Sequence, residues 1–354
     1  MTTLQQRIEA FVKLGKFFYE FCDVSNTTPD IDIQNTPNYT YLKAQITAAK
    51  HQNGWFTKDN IYFGLQQWAS LLTKSKLEDW LKPYDIDQQN EKTVALIMAG
   101  NIPLVGFHDF LAVLITGHKA LIKLSSNDTV LLPAVAKILI DIAPFFKSQI
   151  VFEKERLQDF DAVIATGSNN TSRYFEYYFG NKPHIIRKNR NSIAILSGEE
   201  TKEELHALGE DVFRYYGLGC RSVSKLMVPK GYNFEAFFSA IYDYNAIINS
   251  AKYANNYDYN KAVYLMSEFK LLENGFLMIK EDTSYASPIA SLFYEYYEDK
   301  TTLASQLEAE KEQLQCIVAK GFDKNEIAFG ASQKPELADY ADGVDTVEFL
   351  LKTY

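Results

Sequence analysis

At 354 residues, 47% of them hydrophobic, the chain is long enough for two domains with sizeable cores, and no stretch has the composition of a disordered tail. Its formal net charge of −9 implies no basic face and so argues against nucleic acid as a partner. Three widely spaced cysteines, Cys22, Cys220 and Cys316, suit a reducing cytoplasm and show no metal-ligand spacing.

Residues 1–92 read as a helical N-terminal segment. Leu4, Ile8, Phe11, Val12 and Phe18 recur at helical spacing, and further helices are expected over 41–50, 57–72 and 76–81. The first eighteen residues carry Glu9 and no small-residue cleavage site, unlike a signal peptide. Pro29 and Pro37, in an Asp/Asn/Thr-rich stretch, predict a loop. From Thr93 the pattern alternates: strand 94–99, the turn Gly100-Asn101-Ile102-Pro103, helix 104–116 and strand 120–124. Ser125-Ser126-Asn127-Asp128 offers an N-cap for helix 129–142, and strands 150–152 and 161–165 follow. Thr166-Gly167-Ser168-Asn169-Asn170 then opens helix 171–179. The apolar run 102–124 is interrupted by His108, Asp109, His118 and Lys119, so no membrane span is expected and the protein reads as soluble and cytoplasmic.

This βαβαβ order predicts a Rossmann-like cofactor-binding domain over 93–215, doubly wound, with ligands at the C-terminal strand ends. Thr166-Gly167-Ser168 at a helix start is a ready phosphate site, because free N–H groups and the helix dipole favour an anion. Ordinary capping by Ser168 is the alternative. Lys123 at its strand end is placed to meet a ribose or phosphate, or is a solvated lysine. The basic run Arg187, Lys188 and Arg190 is read the same two ways.

A strand at 193–196 and a helix at 202–215 lead to Tyr216-Gly217-Leu218-Gly219-Cys220-Arg221-Ser222, and strand 224–228 follows. Helices 234–248, 257–269 and 301–313 with strands 276–280, 290–297 and 315–319 complete a second α/β domain, 216–330, before a turn-rich return segment, 331–354. Gly217 to Ser222 is one residue short of a Gly-x-Gly-x-x-Gly dinucleotide fingerprint. That fingerprint needs a strand before it and a helix after it; the order here is reversed, which excludes it. What remains is a thiol just after two glycines at a helix-to-strand junction. Cysteine is often a small buried hydrophobe, but its thiolate is a strong nucleophile that forms acyl intermediates readily.

Three motifs in this order resemble the aldehyde dehydrogenase superfamily: Gly100-Asn101-Ile102-Pro103-Leu104, then Ile122-Lys123-Leu124-Ser125-Ser126 with Thr166-Gly167-Ser168, then Gly217 to Lys225 around Cys220. Within it the chain is similar to the LuxC-type fatty acyl-CoA reductases, whose C-terminal segment resembles Pro335-Glu336-Leu337 through Tyr340-Ala341-Asp342-Gly343-Val344-Asp345-Thr346. The resemblance implies an aldehyde dehydrogenase-like α/β fold of two doubly wound domains, and NADPH-dependent reduction of an acyl thioester such as fatty acyl-CoA to the aldehyde. It makes Cys220 the nucleophile and Asn101, with the Cys220 N–H, the oxyanion holder. Lys123, Ser125, Ser126, Thr166, Gly167 and Ser168 become the cofactor contacts. Ile186 falls where the superfamily has the glutamate that activates water to hydrolyse the acyl-enzyme, and Ser284 falls near a second expected glutamate. Ser126 replaces a carboxylate at the adenosine ribose, which favours NADPH over NADH. A homo-oligomer and a partner protein that transfers or activates acyl groups are family expectations. An NAD(P)-dependent aldehyde dehydrogenase and a catalytically inactive scaffold of the same fold are the alternative readings.

Overall fold

The computed structural model describes residues 2–22, 30–86 and 90–352, the side chain of Asn169 excepted. Pro29 and the stretch before it lie outside these residues, whereas Pro37 starts a helix behind the N-cap Thr36, so the expected loop is shorter than predicted. The chain divides into two compact units, Met1–Lys188 with Glu336–Tyr354, and Asn189–Pro335. The division falls at 188/189 and 335/336, not at the expected 215/216 and 330/331. Helix–strand alternation runs unbroken through residue 215 and carries no mark of which sheet the next strand joins.

The first unit begins with helices α1 (Leu4–Tyr19), α2 (Ile31–Gln34), α3 (Pro37–Gln52), α4 (Lys58–Leu71) and α5 (Lys74–Leu81). Thr3, Thr36, Thr57 and Thr73 cap four of them by accepting an N–H of the first turn. There follow β1 (Thr93–Ile97), α6 (Phe107–Ile115), β2 (Lys119–Lys123), α7 (Leu131–Ile142), β3 (Ile150–Phe152), β4 (Ala162–Thr166), α8 (Asn169–Phe179) and β5 (His184–Arg187). The five strands form one parallel sheet in the order β3-β2-β1-β4-β5. Its central strands are near-continuous apolar runs because both faces are covered. One face packs on the helical core that includes Phe11, Phe107 and Phe110; the other packs on Leu157, Phe160 and the partly buried Phe175 and Phe179. Helix α6 starts three residues later than the periodicity predicts, because Leu104 is left-handed (φ 55°) and turns the chain first.

The second unit contains β6 (Asn191–Ile195), α9 (Lys202–Phe213), β7 (Val223–Pro229), α10 (Phe234–Ala240), α11 (Ala251–Met266), β8 (Leu271–Glu273), β9 (Met278–Glu281), β10 (Ser291–Tyr297), α12 (Lys300–Ala309) and β11 (Leu314–Val318). The six-stranded sheet has the order β11-β6-β7-β10-β9-β8 and is parallel except for β8, which pairs antiparallel with β9. Residues 242–249 and 311–313 are 3-10 turns where longer α-helices were expected.

The tail after Pro335 returns to the first unit as α13 (Thr346–Lys352), whose Val347 and Leu350 are fully buried. Trp80 Nε1 donates to the Tyr340 hydroxyl at 2.8 Å, the Tyr84 hydroxyl donates to Asp345 at 2.6 Å, and His108 Nε2 lies 2.9 Å from the Leu337 carbonyl. The turn-rich segment is therefore a clasp on the unit's helical side. Among the described residues no helix is long and apolar enough to cross a membrane.

Candidate functional site

In the first unit the predicted contacts lie on the turns that leave adjacent strands. Ile97 at the end of β1 pairs with Lys123 on β2 and with Ala165 on β4, so the turns at Asn101, Ser125 and Gly167 all emerge from one edge of the sheet. Those at Gly100 and Ser125 touch: a Cβ on Gly100 would come within 2.7 Å of Ser125 Oγ, so only glycine fits before Asn101. Asn101 and Ser126 are exposed, and Ser125 is half-buried, its Oγ accepting from the Asn127 N–H at 3.2 Å. Ser168 caps α8 by accepting the Thr171 N–H at 3.3 Å, the role its alternative reading gave it. Gly167 is pressed against Phe175, 2.8 Å from where a Cβ would stand.

Lys123 is half-buried. It donates to the Glu155 carbonyl at 2.7 Å and borders a cavity of about 930 Å³. Sequence reasoning missed the rest of that cavity: Arg156, Phe160, Tyr174, Tyr178 and Lys182. Tyr174 and Tyr178 are 66% and 62% exposed, too open for core residues, and offer flat faces to a planar base. Arg156 is exposed at the wall, while Lys182 is tied to the Phe160 carbonyl, its ammonium 4.6 Å from the Phe160 ring centroid. Aromatic faces beside cationic groups, between the ends of β1 and β2 and the segments that lead into β4 and β5, fit a planar ligand that carries negative charge.

The basic run does not form a phosphate cradle. Arg187 is buried in a bidentate pair with Asp109, its Nη2 2.9 Å from Oδ1 and 3.2 Å from Thr346 Oγ1. Lys188 pairs with Glu176 at 3.0 Å, and in the second unit Arg190 donates to the Leu314 carbonyl at 3.2 Å. Ile186 lies on β5, packed partly buried against the Leu157 and Phe160 cluster.

In the second unit Cys220 is exposed, on the turn between α9 and β7, where the sequence places it; none of the three cysteines is in a disulfide. Three consecutive left-handed residues deliver that turn: Tyr215 (φ 55°), Tyr216 (φ 59°) and Gly217 (φ 75°). For the two tyrosines this conformation costs on the order of 1–3 kcal/mol each. Tyr215 is held by burial, which also pushes its phenol pKa up, and the Tyr216 ring lies 6.1 Å from that of fully buried Tyr253. Gly217 serves backbone conformation. Beyond the thiol, Arg221 Nε donates to the Ser332 carbonyl at 2.6 Å. The carboxylate of fully buried Asp211 accepts the N–H groups of Gly330 and Ser332 at 2.6 and 2.9 Å. Burial raises the Asp211 pKa and those two N–H groups pull it back. Lys225, fully buried on β7, donates to Glu295 at 2.5 Å and to the Thr283 carbonyl at 2.7 Å, a structural role.

Known proteins agree with this architecture. Aldehyde dehydrogenase 21 from Physcomitrella patens, in complex with the reaction product succinate, matches with a TM-score of 0.62 at 12% identity, covering 92% of this chain and 75% of that one. An aldehyde dehydrogenase from Bacillus cereus, in a complex with NAD+, has a TM-score of 0.62 at 12% identity and covers 91% and 73%. A variant of P. syringae indole-3-acetaldehyde dehydrogenase AldA, in complex with NAD+ and IAA, also has 0.62 at 12% and covers 91% and 76%. The fold is that of the aldehyde dehydrogenases. The family model of the acyl-CoA reductase LuxC matches residues 22–241, more than half of the chain, and the chain belongs to that family. No curated protein matches. Family and fold together support an oxidoreductase of the acyl-CoA reductase or aldehyde dehydrogenase type.

Proposed function

We propose that this protein reduces an acyl thioester, fatty acyl-CoA by preference, to the aldehyde through an acyl group carried on Cys220. The observation that carries the reading is an exposed thiol on a conformationally forced turn, in a chain of the LuxC acyl-CoA reductase family. The Cys220 thiolate attacks the thioester carbonyl, the C–S bond to CoA breaks with its electron pair leaving as the CoA thiolate, and the acyl group stays on sulfur. Oxyanion charge develops on each side of that intermediate. The Asn101 amide and the Cys220 N–H are the donors we assign to it, each worth roughly 2.7–4 kcal/mol by analogy with other acyl-transfer sites.

The chemistry a nicotinamide supplies when bound is hydride donation. Its adenosine end suits the cavity walled by Tyr174, Phe175 and Tyr178, with Lys123 and Arg156 at its border. We assign Ser125, Ser126, Thr166, Gly167 and Ser168 to the same nucleotide. Ser126 brings no carboxylate to repel a 2′-phosphate, hence the preference for NADPH. Ile186 cannot accept a proton, so the acyl-cysteine is protected from base-assisted hydrolysis and persists until reduction. We expect the acyl group to arrive from CoA or from a partner protein that transfers or activates it.

The test is NADPH oxidation across short- to long-chain acyl-CoAs with the aldehyde identified, beside aldehyde plus NADP+ without CoA. Aldehyde from acyl-CoA is expected. Rapid acid formation from aldehyde would instead make the protein a conventional aldehyde dehydrogenase, and no turnover in either direction with an unreactive Cys220 would make it a scaffold.

A further inference from the structure

Ser192 is fully buried on β6, and the sheet is irregular on both sides of it. The pairing of β6 with β7 shifts register between Ser192 and Ile193; the pairing with β11 shifts between Leu314 and Cys316, and Cys316 is the residue opposite Ser192. The extra residues are Ser224 on β7 and Gln315 on β11, so the irregularity belongs to the two neighbours of β6 and not to β6 itself. Ser192 Oγ donates to the main-chain carbonyl of Cys220 at 2.9 Å, across 28 residues of sequence. The other end of the turn is closed by the Ser222 N–H, which donates to the Gly219 carbonyl at 3.0 Å. With the Gly219 and Cys220 carbonyls both held, the backbone torsions on either side of the Cys220 Cα are restricted, and so is the direction in which its side chain leaves.

We propose that Ser192 is a positioning residue for Cys220, its hydroxyl bonded to the nucleophile's own carbonyl so that Sγ faces the thioester carbonyl carbon. The inference rests on the reading of Cys220 as the acyl acceptor. Ser224 provides an internal control. Its hydroxyl lies on the neighbouring strand, donates to the Tyr285 carbonyl at 2.7 Å and approaches the Ser192 carbonyl at 3.3 Å, and is not bonded to Cys220.

The experiment measures transfer of radiolabelled acyl-CoA to Cys220 in the native protein, Ser192→Ala, Ser192→Thr and Ser224→Ala, with iodoacetamide alkylation of Cys220 and thermal unfolding followed in parallel. In Ser192→Ala the acylation rate constant at saturating acyl-CoA should fall by about tenfold to a hundredfold, the scale of a displaced reacting group, with half-saturation unchanged. Alkylation needs no aligned carbonyl and should stay near native. Ser192→Thr keeps the hydroxyl and should recover acylation; Ser224→Ala should acylate like the native protein. Native-rate acylation in Ser192→Ala overturns the inference. So does a parallel loss of acylation, alkylation and melting temperature, which would make the hydroxyl merely structural. If the native protein takes no label on Cys220, the parent reading fails first and this inference with it.

Discussion

The turns of the first unit that face the proposed nucleotide and the turn of the second that carries the thiol are built differently. Residues 123–128 and 166–168 leave the C-terminal ends of parallel strands, where helix starts supply N–H groups, and none of them has a left-handed non-glycine backbone. Cys220 sits at the entry to β7, preceded by two left-handed tyrosines, and its carbonyl is held by the Ser192 hydroxyl. The Asn101 turn resembles the second kind, with Leu104 at φ 55°. A doubly wound sheet presents anion-binding amides without special measures. A group that must meet a carbonyl in one direction is held against backbone preference, and burial around it carries the cost.

Changes in the core or at the nucleotide-facing turns of the first unit should alter folding or nucleotide affinity, and changes at the Asn101 and Cys220 turns should alter turnover. The largest effect is expected from Asp109→Ala, which strips the buried Arg187 of its counter-charge. Unfolding free energy in urea should drop by about 3–5 kcal/mol. A drop well under 1 kcal/mol would mean that Arg187 reaches water and stays available to a phosphate. Next is Asn101→Ala, where kcat should fall by roughly 10²–10³ through loss of one oxyanion donor, with the cofactor half-saturation constant unmoved. A change confined to that constant would reassign Asn101 to the nucleotide. A smaller effect is expected of Ser126→Glu: about tenfold weaker binding of NADPH relative to NADH, with acylation of Cys220 at the native rate. Equal weakening of both cofactors would remove Ser126 from 2′-phosphate discrimination.

The smallest effect at neutral pH is His118, fully buried at the end of α6 with Nδ1 accepting the Lys92 N–H at 3.3 Å. Burial lowers its pKa from the usual 6.5 to about 4. The neutral ring is the folded form, so its share of stability is complete above pH 6.5 and is lost as pH falls towards 4. Urea midpoints between those pH values should decline less steeply in His118→Gln. Parallel slopes would show that His118 takes up its proton in the fold as readily as in the unfolded chain.

Much of this was readable beforehand. Apolar runs bounded by Gly, Asn and Ser predict β2 and β4 to within a residue and β1 to within two, and a helix before Cys220 with a strand after it excludes a dinucleotide fingerprint without any structure. What stayed hidden depends on distant partners. β5 has two isoleucines between charged residues, too short a pattern to show, and becomes a strand by pairing with β4. Arg187 looks like part of a solvated run until Asp109, 78 residues earlier, is brought to it. On α8, Tyr177 is 83% exposed beside the cavity-lining Tyr174 and Tyr178, an exposure that helical spacing does not reveal. Ser192 gives no signal at all, since the carbonyl it holds lies 28 residues further on.

The central claim is a covalent acyl-cysteine. Incubating the protein with radiolabelled acyl-CoA before any NADPH is added, then mapping the label by peptide mass spectrometry, tests it most directly. Label is expected on Cys220, discharged by NADPH as aldehyde, and none on the Cys220→Ala protein. Undiminished labelling of Cys220→Ala would contradict it.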